Sequence, residues 1–351
     1  MQLKQVLLWL AGPTTATARK NALVASTAIT LSVAIACTSS LARGRDRSPS
    51  PERSGGGKIA FTRVQEDVRR PGSDYRFEAE IWVMNEDGTH PKRLTHNTSD
   101  DFGAAWSPDG KRIAFGATQF GPDGRGGLVM TGQSIFLVDI EGTAQVRLTD
   151  SAMRAQFPSW SSDGKTIVFH GSRSGGPGPP ELFLIDPNGT TLRQLTENTW
   201  SDARPDWSPD DRRIAFQSDR EGSVEIHVMN ADGSDPRQLT RDPPGVINQA
   251  PDWSPDGKRI LFQSNRDGNV EIYVMDADGG NQTRLTHHPG RDLDAEWSAD
   301  GTRIAFDRDI PPVDEEIRQL FIMRADGSDP TQLTGLPSKN GHAAWHRGRI
   351  P

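Results

Sequence analysis

Two neighbouring stretches set the pattern of the chain. Residues 203–240 read ARPDWSPDDRRIAFQSDREGSVEIHVMNADGSDPRQLT, and residues 250–286 read APDWSPDGKRILFQSNRDGNVEIYVMDADGGNQTRLT. In the first copy apolar and polar positions alternate over short runs: the approach to Trp207, RIAFQS at 213–218, EIHVMN at 225–230 and RQLT at 237–240. Such alternation, rich in β-branched and aromatic residues, predicts strands, and the intervening Gly, Pro, Asp and Asn predict tight turns. Four antiparallel strands per copy at a period of forty-odd residues predict the blade of a β-propeller.

The copies can be counted. A marker Trp stands at 106, 160, 207, 253, 297 and 345, and a Leu-Thr pair at 94–95, 148–149, 195–196, 239–240, 285–286 and 333–334. Six of each predict six blades. The ends are out of phase: the body opens at Lys58 with KIAFTR, which matches a second strand, and finishes with GHAAWHR at 341–347, which matches a first. The expected fold is therefore all-β, a six-bladed β-propeller of four-stranded antiparallel blades. Its ring is closed by the C-terminal strand joining the N-terminal blade, which also covers otherwise bare sheet edges.

The tract W-S-P-D-G-K-R-I-A-F (106–115), the I-x-V-M-x-x-D-G tract and R-Q-L-T resemble the TolB-type propeller repeat. That repeat is found in the periplasmic TolB protein and in many bacterial secreted proteins. The resemblance covers about 58–347 and recurs six times. It differs from the WD-type repeat, because Asp206-Trp207 and Asp252-Trp253 have the reverse order. TolB itself carries an α/β domain ahead of its propeller, and prolyl-oligopeptidase-like enzymes add a hydrolase domain; neither resembles what flanks the repeats here.

Ahead of the repeats, Lys4, Arg19 and Lys20 precede an uncharged stretch at 21–36 (NALVASTAITLSVAIA) and then Cys37. This order fits a secretory leader. Ala34-Ile35-Ala36-Cys37 is similar to a bacterial lipobox, with Ala34 where such boxes favour Leu, and implies lipidation of Cys37. Cleavage after Ala42 and an uncleaved anchor are the rival readings. Residues 43–57 (RGRDRSPSPERSGGG) have almost no apolar content and read as a flexible tether. The expected division is a leader at 1–42, a tether at 43–57 and a propeller at 58–351, exported to the periplasm or cell surface and held at the membrane only through the N-terminal lipid or anchor.

Composition refines this. Gly (35) and Pro (25) are abundant, as a fold with dozens of turns requires. Lys4, Arg19, Lys20, Arg43, Arg45, Arg47 and Arg53 make residues 1–57 basic, which leaves the body with 33 Lys and Arg against 45 Asp and Glu. An acidic body repels phosphate backbones, so nucleic acid is not expected as a partner. Basic peptides, cations and neutral ligands remain open. Cys37 is the single cysteine and permits no internal disulfide.

The repeated residues read first as scaffold. Each Trp is expected to wedge between neighbouring blades, and the Ser-Pro-Asp-Gly and Asp-Gly sequences to form turns. The second-to-third turns and the blade-to-blade connections vary, so the working surface is expected on their face. There the residue five before each Trp is Asp101, Ala155, Asp202, Asn248, Asp292 or Asn340. Asp101, Asp202, Asn248, Asp292 and Asn340 could ring the channel mouth and receive a cation or basic side chain, or could cap the turn that opens each first strand. The second-to-third loops at 63–80, 117–134 and 307–319 are long and would form one raised lobe on adjacent blades.

Catalytic signatures are sparse. Gly171-Ser172-Arg173-Ser174-Gly175 has Arg where a nucleophile elbow needs Ser, and there is no P-loop and no H-E-x-x-H. His287, His288 and His342 with Asp292 and Asp294 could hold one divalent metal. A metal-dependent hydrolase or lyase acting on a sugar or lactone at the channel mouth is the alternative on that account. The reading preferred from sequence is a non-enzymatic, monomeric module without cofactor that binds a protein or peptide in the bacterial cell envelope.

Overall fold

The computed structural model describes residues 57–66, 77–124, 127–172, 178–310, 317–335 and 339–347. The leader with Cys37 and the tether through residue 56 lie outside these. Among the described residues no helix is long and apolar enough to cross a membrane.

The six four-stranded antiparallel sheets follow the six sequence copies. Blade I combines Lys339–Trp345 from the chain end with Lys58–Glu66, Phe77–Asn85 and Lys92–Arg93. Its joining register, Ile59 opposite Trp345 and Val64 opposite Lys339, closes the ring as expected. Blades II to VI have first strands Asp100–Trp106, Gln156–Trp160, Asp202–Trp207, Asn248–Trp253 and Asp292–Trp297. The segments expected as long loops differ from that expectation. Strand pairing continues outward to Glu66 opposite Phe77, Pro122 opposite Leu128 and Ile310 opposite Ile317, so three blades carry extended hairpins. Continuing the ladder satisfies backbone groups that a loop would leave to solvent.

Six apolar clusters fill the six spaces between blades, each built from one blade's marker Trp and the inner strands of the blade before it. Trp253 packs with Ala215, Ile226 and Val228 of blade IV, and Trp297 with Leu261, Ile272 and Val274 of blade V. All six marker indoles are buried. The arginine that opens a second strand covers the next blade's indole: Arg213 lies 4.5 Å from the Trp253 ring centre and Arg259 4.5 Å from that of Trp297. These are cation–π contacts that also shield the interface from water.

The Ser-Pro-Asp-Gly turns are self-contained. In the first, Ser107 Oγ donates to Asp109 Oδ1 at 2.7 Å and accepts from Arg112 N at 2.9 Å, while Gly110 takes φ +68°. Ser208, Ser254 and Ser298 repeat the hydroxyl–carboxylate bond with Asp210, Asp256 and Asp300.

Candidate functional site

Every first strand carries a bulge, with a register shift such as that between Ala203 and Asp206. A bulge bends the strand and re-aims one side chain. The bulged residues are Gly103, Phe157, Arg204, Ala250, Asp294 and His342, all at φ between +47° and +62°. Five of the six are not glycine, and backbone strain of this kind concentrates where the surrounding structure fixes it.

What fixes it here is a relay from blade to blade. The backbone N–H of each of four bulge residues donates to a second-strand side chain of the preceding blade. Arg204 donates to His170 Nδ1 (3.3 Å), Ala250 to Gln217 (3.2 Å), Asp294 to Gln263 (2.7 Å) and His342 to Asp307 (2.9 Å).

The bulged side chains meet across the channel. Arg204 pairs with Asp294 and stacks over Phe157 at 4.1 Å. His342 Nε2 lies 3.4 Å from Asp294 Oδ2, and its ring meets Phe157 edge-on at 5.6 Å. Phe157 also stacks on His170. Burial pushes Asp294 upward, but the charges of Arg204, His342 and Arg318 outweigh it and hold the carboxyl at about 2. Burial, with Arg204, brings His342 down to about 4 and His170 to about 3, so both are neutral at pH 7.

Between this plug and the Ser-Pro-Asp-Gly turns lies a central cavity of about 450 Å³, walled by the first strands of all six blades. Its middle tier is the residue just before each marker Trp. Blades IV, V and VI supply Asp206, Asp252 and Glu296, whereas blades I, II and III supply Ala344, Ala105 and Ser159. One wall is thus acidic and the opposite wall largely apolar. Each carboxylate is oriented by a second relay, in which it accepts the backbone N–H of the next blade's Trp. Asp206 accepts from Trp253 (2.8 Å), Asp252 from Trp297 (2.9 Å) and Glu296 from Trp345 (3.1 Å). Burial and then the charge of Asp206 push the Glu296 carboxyl well above its ordinary range. Arg347, two residues past the final Trp, reaches back and pairs with Asp252, with Nη1 3.6 Å from Asp206.

The residues singled out five positions before each Trp lie elsewhere. Asp101, Asp202, Asn248, Asp292 and Asn340 are all buried, and none lines this cavity. Four of them hold an arginine: Asp202 binds Arg220 at 3.0 Å, Asn248 accepts from Arg266 at 2.9 Å, Asp292 binds Arg308 through both oxygens at 2.7 Å, and Asn340 accepts from Arg63 at 2.8 Å. Asp101 has Asn97 Nδ2 at 2.7 Å instead. Their other neighbour is a residue of the preceding blade's third strand. Asn248 Nδ2 donates to Glu225 Oε2 at 2.8 Å, and Asn340 Nδ2 to Gln319 Oε1 at 3.1 Å. That third-strand residue also accepts from the Thr of the Leu-Thr pair, as Glu225 does from Thr240 (2.5 Å) and Glu271 from Thr286 (2.6 Å). The recurring glutamate–threonine spacing of fifteen residues was the sequence signal for this module.

The five residues considered for a metal do not converge on one point. Asp294 and His342 meet in the plug, and Asp292 is held by Arg308. His287 is exposed, and the Nδ1 of His288 accepts from Gly290 N at 2.9 Å. Among the described residues no group of three or more His, Cys, Asp or Glu side chains is placed to hold a metal ion.

The described residues form a closed six-bladed propeller with a plugged channel and an acidic half-cavity. The chain carries the TolB-type propeller repeat: residues 242–348 match the family described as the TolB beta propeller domain. Among solved structures the fold is similar to TolB from Acinetobacter baumannii, with a TM-score of 0.66 and 22% identity over 82% of this chain and 66% of that one. It is also similar to a putative TolB from Agrobacterium tumefaciens, with a TM-score of 0.61 and 20% identity over 82% of this chain and 92% of that one. An uncharacterized protein of Agrobacterium fabrum is 34% identical over 91 residues, which span 26% of this chain and 27% of that relative's length.

Proposed function

We propose that this protein is a non-enzymatic binding module of the bacterial cell envelope, exported and tethered through its N-terminal leader, which receives a segment of a peptide or protein partner in its central cavity. The observation that carries this reading is the cavity itself. At about 450 Å³ it falls in the range of ligand pockets, roughly 300–1,000 Å³, and it pairs an apolar wall with a few fixed polar groups. Similarity to TolB, a periplasmic protein, supports the envelope location.

The test is to select peptides from a random library on the purified full-length protein and titrate them against wild type and Ala250→Trp. Ala250 lines the cavity at φ +54°, a conformation that Phe157, Arg204 and His342 already adopt, so a large side chain there fills space without a new backbone. Selected peptides should lose at least about tenfold in affinity, which is about 1.4 kcal/mol, with the melting temperature preserved. Undiminished binding by the filled variant would place the partner surface elsewhere.

A further inference from the structure

Arg347 is a guanidinium already seated in the cavity, and the wall it meets is built for one. Asp206 and Asp252 each commit one oxygen to a tryptophan N–H of the next blade, Trp253 and Trp297 respectively. That bond fixes the carboxylate plane. Asp252 Oδ1 then faces Arg347, and Asp206 Oδ1 takes the Ser159 hydroxyl at 2.8 Å. A planar fork spanning two oriented carboxylates is the geometry that favours arginine over lysine. Across the cavity, Ala105 and Ala344 offer an apolar surface along which the aliphatic stem of such a side chain can lie.

The residue is also placed so that it can leave. Its neighbour His346 is anchored, with its backbone N–H donating to Lys58 O at 3.0 Å and its ring edge-on to Trp106 at 5.1 Å. Arg347 is the first residue beyond that anchor. Its side chain keeps 32% of its surface exposed, whereas that of Asp252 keeps 7%. The receptor carboxylates are fixed and buried, and the occupant is half-free.

We propose that the cavity is a receptor site for a guanidinium-bearing side chain, the arginine of a basic peptide, and that Arg347 is its internal competitor. The proposal rests on the reading of the cavity as the partner site and specifies both the chemistry recognised and its regulation. An incoming arginine displaces Arg347, taking over its hydrogen bond to Asp252 and its ion pair with Asp206, so the free protein is held in a self-occupied state. Apparent affinity is lowered by the fraction of molecules in which Arg347 is seated.

The experiment is calorimetric titration of the full-length protein with N-acetyl-arginine amide, its neutral isostere N-acetyl-citrulline amide, and N-acetyl-lysine amide at fixed ionic strength. Arg347→Ala should bind the arginine probe at least about tenfold more tightly than wild type, a difference of about 1.4 kcal/mol. The lysine probe should bind more weakly and the citrulline probe not measurably. Adding Asp252→Asn to Arg347→Ala should abolish the gain, and because the asparagine carbonyl can still accept from Trp297 N, the melting temperature should hold. Equal binding of arginine and citrulline probes, or no gain on removing Arg347, overturns the proposal. If peptide capture is lost in Ala250→Trp while Arg347→Ala shows no arginine preference, the cavity remains the partner site and only the guanidinium assignment fails. If capture survives in Ala250→Trp, the parent reading fails first.

Discussion

Among the described residues Asp101 is the one acid at its repeat position without an arginine, and this makes its replacement a sharp test. At the matched positions, Arg220 and Arg308 neutralise Asp202 and Asp292. In blade II the place matching Arg308 is Ala117, which pairs with Asp101 as Arg308 does with Asp292. Asp101 is fully buried beside Glu80, and burial, followed by the Glu80 charge, pushes its carboxyl up to about 8. An acid raised in the folded state contributes stability that is fully present below its unfolded value and is lost as pH rises toward the folded one. The loss therefore develops between 3.8 and about 8. At about 1.36 kcal/mol per unit, keeping the proton to pH 7 costs up to about 4 kcal/mol, and titration coupled to Glu80 spreads that cost over the pair. Asp101→Asn removes that cost. Asn248 shows the geometry the variant can adopt: its amide donates to Glu225, as the introduced amide would to Glu80. The expected gain is about 2 kcal/mol at pH 7.5, which raises the melting temperature by about 4–8 °C, shrinking to under about 1 °C at pH 4. Thermal melts of both proteins across this range decide it. A lower melting temperature at pH 7.5, or a shift independent of pH, refutes the reasoning.

Two other substitutions probe the scaffold. Trp253→Ala empties the wedge between blades IV and V, strips Arg213 of its aromatic partner and should cost about 3–5 kcal/mol in denaturant unfolding, whereas Trp200→Ala, at a residue 45% exposed, should stay within about 0.5 kcal/mol. Arg308→Ala leaves Asp292 buried without its cation and should cost about 3–5 kcal/mol, most of it recovered when Asp292→Asn is combined with Arg308→Met; a double-mutant cycle with no coupling would show the pair to be independent.

Much of the architecture was legible because it is local and repeated. The spacing of Trp106 to Trp345 set the blade count, and the phase of KIAFTR against GHAAWHR set which strands close the ring, since each strand is specified by its own alternation and turns. The hairpin extensions at 63–80, 117–134 and 307–319 were visible only as length, because pairing there depends on two strands meeting. For the site, the residues five positions before each Trp were found as a recurring position, yet a position does not reveal its neighbours. Burial beside the preceding blade's glutamate depends on contacts fifteen or more residues away. The acidic residue directly before Trp207, Trp253 and Trp297 was an available signal for the cavity wall.

The sequence by itself thus determined a six-bladed ring closed from both ends, because strand propensity, turn chemistry and hydrophobic alternation act within a few residues. Only the tertiary structure decided which side chains meet around the channel. Bulges at Phe157, Arg204, Asp294 and His342 carry no glycine to announce them, and they plug the channel only because closure brings six strands to one axis. Closure likewise turns three separate carboxylates into one wall and carries Arg347 from the end of blade I to Asp252 in blade V. Contacts between groups ninety-five residues apart are set by the geometry of the whole ring.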